Sequence, residues 1–235
     1  MRTHLIKRLI LNKFFAQLFL KPILQLHNLL YKLISSYAIL ANNGIHPKHT
    51  ILKYKEWFYN HIEPHKVVLD IGCNDGSLPK VLSHKAAYVY GIEIVPKLVE
   101  KAKKNNDCPN VEYICADATT YDYSHLKPID YVTLSNVLEH IENRVEFLEK
   151  IIHHVCWSSL DNQILLIRVP MINRDWVTLY KQQKGVEYRL DLTHYIEYTY
   201  EDFEHELSQA KIEIMSHEVK FGEIYAICKV INESI

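Results

Sequence analysis

The sequence of 235 residues lacks the marks of several common protein classes. Its five cysteines include no C-x-x-C pair, which favours small buried thiols in a reducing compartment. No apolar run approaches the roughly 20 residues that a membrane-spanning helix needs, and the basic start lacks the apolar core and cleavage site of a signal peptide. Internal repeats and low-complexity tracts are absent as well. The sequence therefore predicts an ordinary globular protein, in the cytoplasm or peripherally at a membrane.

Acidic residues are absent from the first 55 positions, which hold nine Lys and Arg residues. The other 18 of the 27 basic residues and all 28 acidic residues lie beyond that point. The two parts of the chain therefore face different surroundings.

From residue 67 onward, short apolar runs alternate with helical patterns. The predicted strands are Val67–Ile71, Tyr88–Ile92, Val111–Cys115, Tyr131–Leu134 and Ile164–Val169. Helices are predicted near residues 78–83, 96–105, 144–155 and 200–210, and two strands around Phe221 end the pattern as an antiparallel hairpin. This order predicts an α/β fold with a doubly wound, mostly parallel seven-stranded sheet and an antiparallel last strand.

The stretch LDIGCNDG, Leu69–Gly76, follows directly on the first predicted strand. In a doubly wound sheet, ligands bind at the carboxyl ends of the strands. Gly72 and Gly76 leave the backbone open to a ligand, and Asn74 tolerates left-handed backbone angles. Ser77 stands where a dinucleotide-binding fingerprint has its third glycine, which argues against a nicotinamide cofactor.

Carboxylates mark the ends of the next two strands. Glu93 follows the second strand, where a carboxylate can accept hydrogen bonds from both hydroxyls of a ribose. Asp117 follows the third strand and can accept one from an adenine amino group. Polar features at three successive strand ends therefore predict a site for a cofactor that contains adenosine.

In this order, the segments resemble motifs of the class I S-adenosylmethionine-dependent methyltransferases, over roughly residues 57–230. LDIGCNDG looks like their glycine-rich motif, and NVLEHI resembles the segment after strand four in small-molecule members such as ubiquinone and sugar O-methyltransferases. The resemblance implies S-adenosylmethionine as the cofactor, with Asp70 and Gly72 near its methionine end, Glu93 on the ribose and Asp117 on the adenine. The other candidate cofactor-binding residues are Asn74, Gly76, Ile94, Ala118, Ser135 and Asn136.

Two histidines are candidates for assisting methyl transfer. A hydroxyl acceptor has to lose its proton, and a positioned histidine can take it. His140 in SNVLEHIEN is the first candidate, and His194 in RLDLTHYIEYTYEDF is the second. Glu139, beside His140, is the third catalytic candidate. A histidine that only packs or caps in its loop is the alternative for His140.

The same residues also resemble a known metal-binding pattern. Small-RNA 2′-O-methyltransferases hold a divalent ion through an ExxEH segment and a distant histidine. Here Asn136 replaces the first carboxylate of that pattern, and hard divalent ions prefer carboxylate oxygens. No metal ligand is therefore assigned.

The N-terminal segment is predicted to be helical, with apolar residues at helical spacing over 3–20 and 23–37 and an interruption at Lys21-Pro22. The predicted division places a basic amphipathic extension at 1–48 and the cofactor-binding domain at 49–235. The extension is interpreted as a lid on the cofactor cleft or as a membrane-surface helix in contact with lipid through residues 1–40. Nucleic acid is not expected as a partner, because the segment is rich in leucine and phenylalanine rather than arginine.

The sequence is thus interpreted as a methyltransferase (EC 2.1.1.-) acting on a small, lipid-linked or sugar-linked acceptor, with transfer to oxygen favoured. Two alternatives stay open. One is a nicotinamide-dependent oxidoreductase, and the other is a non-catalytic subunit that binds S-adenosylmethionine.

Overall fold

A computed structural model describes residues 12–231 of the chain, and residues 1–11 and 232–235 fall outside this description. The described chain divides into two compact units. One contains the residues up to Leu52 together with Asn173–Leu190, and the other contains Lys53–Ile172 together with the residues from Asp191 onward. The division between an extension and a cofactor domain at residue 48 stays a prediction.

The second unit is built on a seven-stranded sheet. Its strands are β1 (Val67–Ile71), β2 (Tyr88–Glu93), β3 (Val111–Cys115), β4 (Tyr131–Ser135), β5 (Ile164–Pro170), β6 (Ile212–Lys220) and β7 (Glu223–Val230). The strand order is β3-β2-β1-β4-β5-β7-β6, and β7 runs antiparallel to both of its neighbours. The predicted fold class is confirmed.

Eight α-helices are described, with the bounds α1 (Lys13–Ala41), α2 (Pro47–Leu52), α3 (Tyr54–His61), α4 (Ser77–Leu82), α5 (Pro96–Asn105), α6 (Arg144–His154), α7 (Trp176–Gln183) and α8 (Tyr200–Gln209). The sheet carries apolar side chains on both faces, as strands buried on both sides do. Leu69 and Ile71 of β1 pack in one cluster with Phe147 of α6, whereas Val68 packs in a second cluster with Phe58 of α3.

Two local predictions were wrong, and one helix was missed. The break predicted at Pro22 does not occur, since Pro22 lies inside α1. Pro22 has no N–H to donate to the carbonyl of Leu18. That carbonyl lies on an exposed stretch of the helix, where water can donate the missing hydrogen bond. The segment TILKYKEWFYNHI, residues 50–62, has a pattern that predicts a single helix, but the helix is divided at Lys53, whose φ is 49°. Helix α7 was not predicted at all. The part of the first predicted helix that precedes residue 12 falls outside the described residues.

In the first unit, polar contacts connect α1 to the segment around α7. The amide Nδ2 of Asn28 donates a hydrogen bond to the carbonyl of Glu187 at 2.7 Å. The buried ammonium of Lys181 donates to Oδ1 of Asn28 at 2.7 Å and to Nδ1 of His27 at 2.9 Å. Burial lowers the pKa of Lys181. Among the described helices, none has the length and apolar content needed to span a membrane, and the cytoplasmic location stays a prediction.

Candidate functional site

The candidate site lies beside β1, where the order of the strands in the sheet changes direction. Strand β1 pairs in parallel with β2 on one side and with β4 on the other. In an open α/β sheet such a reversal leaves a crevice at the carboxyl ends of the strands, which is where ligands bind. The ends of β1, β2 and β4 carry most of the candidate residues.

The turn after β1 depends on glycine because protein atoms pack against it. Gly72 has φ +72°, and a Cβ atom there would lie 2.5 Å from Cγ2 of Val137. Gly76 has φ +76°, and a Cβ atom there would lie 2.5 Å from the hydroxyl of Tyr113. Asn74 between them has φ 50°, in the left-handed region expected for it. The glycines thus allow close packing of this turn, a reason that the sequence did not indicate.

Glu93 holds the turn after β1 in place, and Asp70 connects β1 to β4. The carboxylate of Glu93 accepts hydrogen bonds from the backbone N–H of Asn74 at 3.0 Å and of Val95 at 2.9 Å. Asp70 is buried, with one oxygen 2.5 Å from the donating hydroxyl of Thr133 and the other without a hydrogen-bond partner among the described residues. Burial raises the pKa of Asp70 to about 7.

A cavity of about 830 Å³ brings cofactor and catalytic candidates together. Ile94 beyond β2, Asp117 beyond β3 and His140 beyond β4 all contribute to its lining. Asp117 is exposed, and its Oδ1 accepts hydrogen bonds from the backbone N–H and the hydroxyl of Thr119, at 2.9 and 2.7 Å. The carbonyl of Ala118 accepts a hydrogen bond from the hydroxyl of Tyr123 at 2.7 Å.

The catalytic candidates Glu139, His140 and His194 form one cluster. Each offers a donor atom, and these atoms all lie within 4.8 Å of one another. The two imidazole rings meet edge to face, with their centroids 4.7 Å apart. The backbone N–H of Tyr195 donates to the carbonyl of Glu139 at 2.7 Å. This bond joins the turn after β4 to the segment that carries His194.

Glu139 is the most deeply buried member of the cluster. Its exposed fraction is 0%, and neither side-chain oxygen has a hydrogen-bond partner among the described residues. Burial raises the pKa of Glu139 to about 8. Burial also lowers the pKa of His140, and the neighbouring His194 lowers it further. A buried carboxylate without partners requires an explanation such as a bound ion.

Sequence reasoning missed Arg168, a buried residue of β5. Its Nε donates to Oδ1 of Asn136 at 3.0 Å and lies 3.5 Å from an oxygen of the buried Glu223. Its carbonyl accepts from the N–H of Asn136 at 2.8 Å. Asn136 follows Ser135, the half-buried last residue of β4, and has φ 57°. Arg168 therefore stabilises the bend that leads into the Glu139 turn. The signal that was overlooked is a charged side chain within an otherwise apolar strand.

Comparison with known proteins gives a family match for one segment of the chain. Residues 69–155 match the family described as Methyltransferase domain. They form a methyltransferase domain. For this segment the predicted class, S-adenosylmethionine-dependent methyltransferases, and its cofactor are confirmed, while the acceptor and the activity of the whole protein do not follow from this match.

Individual relatives extend the comparison. An uncharacterized RNA methyltransferase of Bacillus cereus is 36% identical over 88 residues, which are 35% of this chain and 19% of the relative. The crystal structure of the small RNA methyltransferase HEN1 superposes with a TM-score of 0.59 at 23% identity, over 78% of this chain and 25% of that one. Magnesium protoporphyrin IX methyltransferase from Synechocystis with bound SAH gives a TM-score of 0.58 at 18% identity, over 78% of this chain and 83% of that one.

These similarities bear differently on fold and function. The solved structures show that the methyltransferase domain has the class I fold. The chain spans less than half the length of the first curated relatives that it matches. The expectation that nucleic acid is not a partner was wrong. Relatives that match the methyltransferase domain are named RNA methyltransferases, and the leucine-rich N-terminal segment on which that expectation rested is no part of this domain.

Proposed function

We propose that this protein transfers the methyl group of S-adenosylmethionine to a hydroxyl group of RNA. The observation that carries the proposal is the cluster of Glu139, His140 and His194, with donor atoms within 4.8 Å of one another, beside the cavity at the end of β4. The names of the relatives and the fold similarity to a small RNA methyltransferase support RNA as the acceptor.

The cofactor is proposed to lie across the ends of β1, β2 and β3. Glu93 would accept the ribose hydroxyls and Asp117 the adenine amino group, with the turn from Gly72 to Gly76 beside the methionine end. The remaining proposed contacts come from Asp70, Ile94, Ala118, Ser135 and Asn136. The shared cavity of Ile94, Asp117 and His140 supports this arrangement, since it runs from the proposed adenine side to the cluster.

His140 is proposed as the base. In the reaction, the bond between the sulfonium sulfur and the methyl carbon breaks while the acceptor oxygen forms a bond to that carbon. The sulfur keeps the electron pair and leaves as the neutral thioether of S-adenosylhomocysteine. The hydroxyl proton passes to a ring nitrogen of His140. Holding the acceptor oxygen and the methyl carbon in line supplies a large part of the rate enhancement.

The buried carboxylate of Glu139 favours a second arrangement of the same site. One carboxylate and two imidazoles are a donor set that suits a divalent transition metal, and the unpaired oxygens of Glu139 fit such an ion. Glu139, His140 and His194 would then hold the ion, which would polarise the acceptor hydroxyl. Treatment with a chelator separates the two arrangements. Retained turnover supports His140 as the base, whereas turnover that is lost and then restored by Mn²⁺ or Zn²⁺ supports the metal.

The charge of the cavity favours a second acceptor class. Four carboxylates of the lining, those of Asp117, Glu142, Glu146 and Glu149, outnumber its single lysine, Lys150. They repel the phosphates of RNA and suit an uncharged small molecule with a hydroxyl group. The two acceptor classes are separated by the experiment that tests the activity.

That experiment incubates the full-length protein with tritium-methyl S-adenosylmethionine and extracts of the native cell, divided into RNA and small-molecule fractions. Label that is released from the RNA fraction as methylated nucleosides is the expected result. Label confined to the small-molecule fraction overturns RNA in favour of the second acceptor class. Cofactor binding without label in either fraction would support the non-catalytic subunit instead.

A further inference from the structure

We infer that Thr193 and Asp191 are positioning residues that hold His140 in the tautomer with its proton on Nδ1 and a lone pair on Nε2. The inference rests on the proposed role of His140. Both as a base and as a metal ligand, His140 needs a ring nitrogen with an available lone pair.

A short chain of contacts leads from Asp191 to His140. The hydroxyl oxygen of Thr193 lies 2.8 Å from Oδ1 of Asp191 and 2.9 Å from Nδ1 of His140. The same carboxylate oxygen accepts the backbone N–H of Thr193 at 2.9 Å. Asp191 and His140 together therefore fix the position of the Thr193 hydroxyl.

Proton counting along this chain decides the tautomer. A carboxylate only accepts hydrogen bonds, and a hydroxyl has one proton to donate. The Thr193 hydroxyl must therefore donate to Asp191, because otherwise two oxygen lone pairs would face each other at 2.8 Å. It then has only lone pairs left for His140, so Nδ1 of His140 must donate. The lone pair of the ring remains on Nε2.

His194, the second histidine of the cluster, also has a hydrogen-bond acceptor at its Nδ1. Nδ1 of His194 lies 3.2 Å from Oε1 of Glu197, and both side chains are buried. A carboxylate at this position favours a proton on Nδ1, as carboxylates do for histidines at metal sites. Both imidazoles of the cluster are thus arranged by acceptors from the segment 191–197.

Nitrogen NMR of the full-length, chelator-treated protein tests the inference without any need for turnover. Long-range proton–nitrogen spectra distinguish the two neutral tautomers of a histidine ring. The wild type is expected to show His140 with a protonated Nδ1. Thr193→Val, which removes the hydroxyl, is expected to shift His140 towards the Nε2–H tautomer. Asp191→Ala has the same expected effect, because it removes the oxygen that accepts the Thr193 hydroxyl and so releases that proton for Nδ1 of His140.

Two further variants control for other effects. Thr193→Ser keeps the hydroxyl and is expected to keep the wild-type tautomer. Asp122→Asn alters a similar exposed turn, in which Asp122 accepts the N–H of Ser124 at 3.0 Å, and is expected to leave the His140 signals unchanged. Thr193 and Asp191 are exposed, so their substitution is compatible with folding.

Turnover gives an independent measurement. Loss of a residue that orients a histidine through its far nitrogen costs about 10–100-fold in activity or metal affinity. We expect a loss of this size in kcat for Thr193→Val, with the KM for S-adenosylmethionine unchanged and with rescue in Thr193→Ser. An Nε2–H tautomer in the wild type, or the same tautomer in wild type and Thr193→Val, overturns the inference. Neither result depends on whether RNA is the acceptor.

Discussion

A Cβ atom added at Gly72 would lie 2.5 Å from Cγ2 of Val137. Gly72 belongs to the turn after β1 and Val137 to the turn after β4, so the two turns of the candidate site are packed against each other. The turn proposed to hold the cofactor cannot move without disturbing the turn that carries Glu139 and His140. Predictions about the turn after β1 therefore also bear on the turn that carries Glu139 and His140.

Substitution of Gly72 by alanine is expected to lower the free energy of unfolding by about 2 kcal/mol or more. The φ of +72° strains any residue with a Cβ atom, and the contact with Val137 adds overpacking. Urea unfolding measures the loss. Gly44→Ala is the matched control, because Gly44 also has a positive φ of 82°, while no atom of the described residues lies within 4 Å of its Cβ position. An equal loss in both variants would show that contact with Val137 contributes nothing.

Substitution of Glu93 by alanine is expected to weaken S-adenosylmethionine binding by about 10- to 100-fold. The carboxylate accepts the N–H groups of Asn74 and Val95, and charge-assisted hydrogen bonds contribute roughly 1.5–3 kcal/mol each. Calorimetric titration with S-adenosylhomocysteine measures the change. Glu112→Ala removes a carboxylate from the neighbouring strand β3, where it accepts from the hydroxyl of Tyr88, and should bind normally. Tight binding by Glu93→Ala would refute the proposed cofactor site.

Substitution of His140 by alanine is expected to leave cofactor affinity nearly intact and to lower kcat on the order of 10²–10⁴-fold, the usual contribution of a general base. Single-turnover assays with labelled S-adenosylmethionine measure this. His153→Ala is a suitable control, since His153 lines the same cavity but does not belong to the cluster. Turnover at the wild-type rate in His140→Ala would remove His140 from the chemistry.

Stability of the ligand-free protein is expected to fall between about pH 4 and pH 7, in part because of Asp70. Burial raises the pKa of this carboxyl from 3.8 to about 7, so the folded state keeps a proton that the unfolded chain has lost. The resulting stabilisation is complete below the unfolded pKa and disappears as the pH rises through the folded one. Asp70→Asn should reduce the slope of unfolding free energy against pH, whereas exposed Asp107→Asn should not. An unchanged slope in Asp70→Asn would contradict the assignment.

Local sequence patterns determined the strands of the sheet and the order of the polar residues at the strand ends. Alternating apolar runs predicted five strands to within one residue, because burial on both faces leaves a strong local mark. The glycine-rich turn and the acids Glu93 and Asp117 followed from their places at successive strand ends. Such patterns have a limit. They predicted a break at Pro22, but an exposed helix tolerates this proline. They missed α7, because this helix depends on contacts with a distant segment of the chain.

Only the tertiary structure decided what surrounds the candidate catalytic residues. His140 and His194 lie far apart in the sequence, and their rings meet because the hydrogen bond between Tyr195 and Glu139 brings two loops together. The packing of Gly72 against Val137 and the link from Asp191 to His140 likewise join segments that no local pattern connects. The sequence by itself determined the fold and the order of the candidate residues, since these depend on local burial and spacing. The path of the backbone decided which of those residues touch, because contacts between distant loops depend on how every intervening element packs.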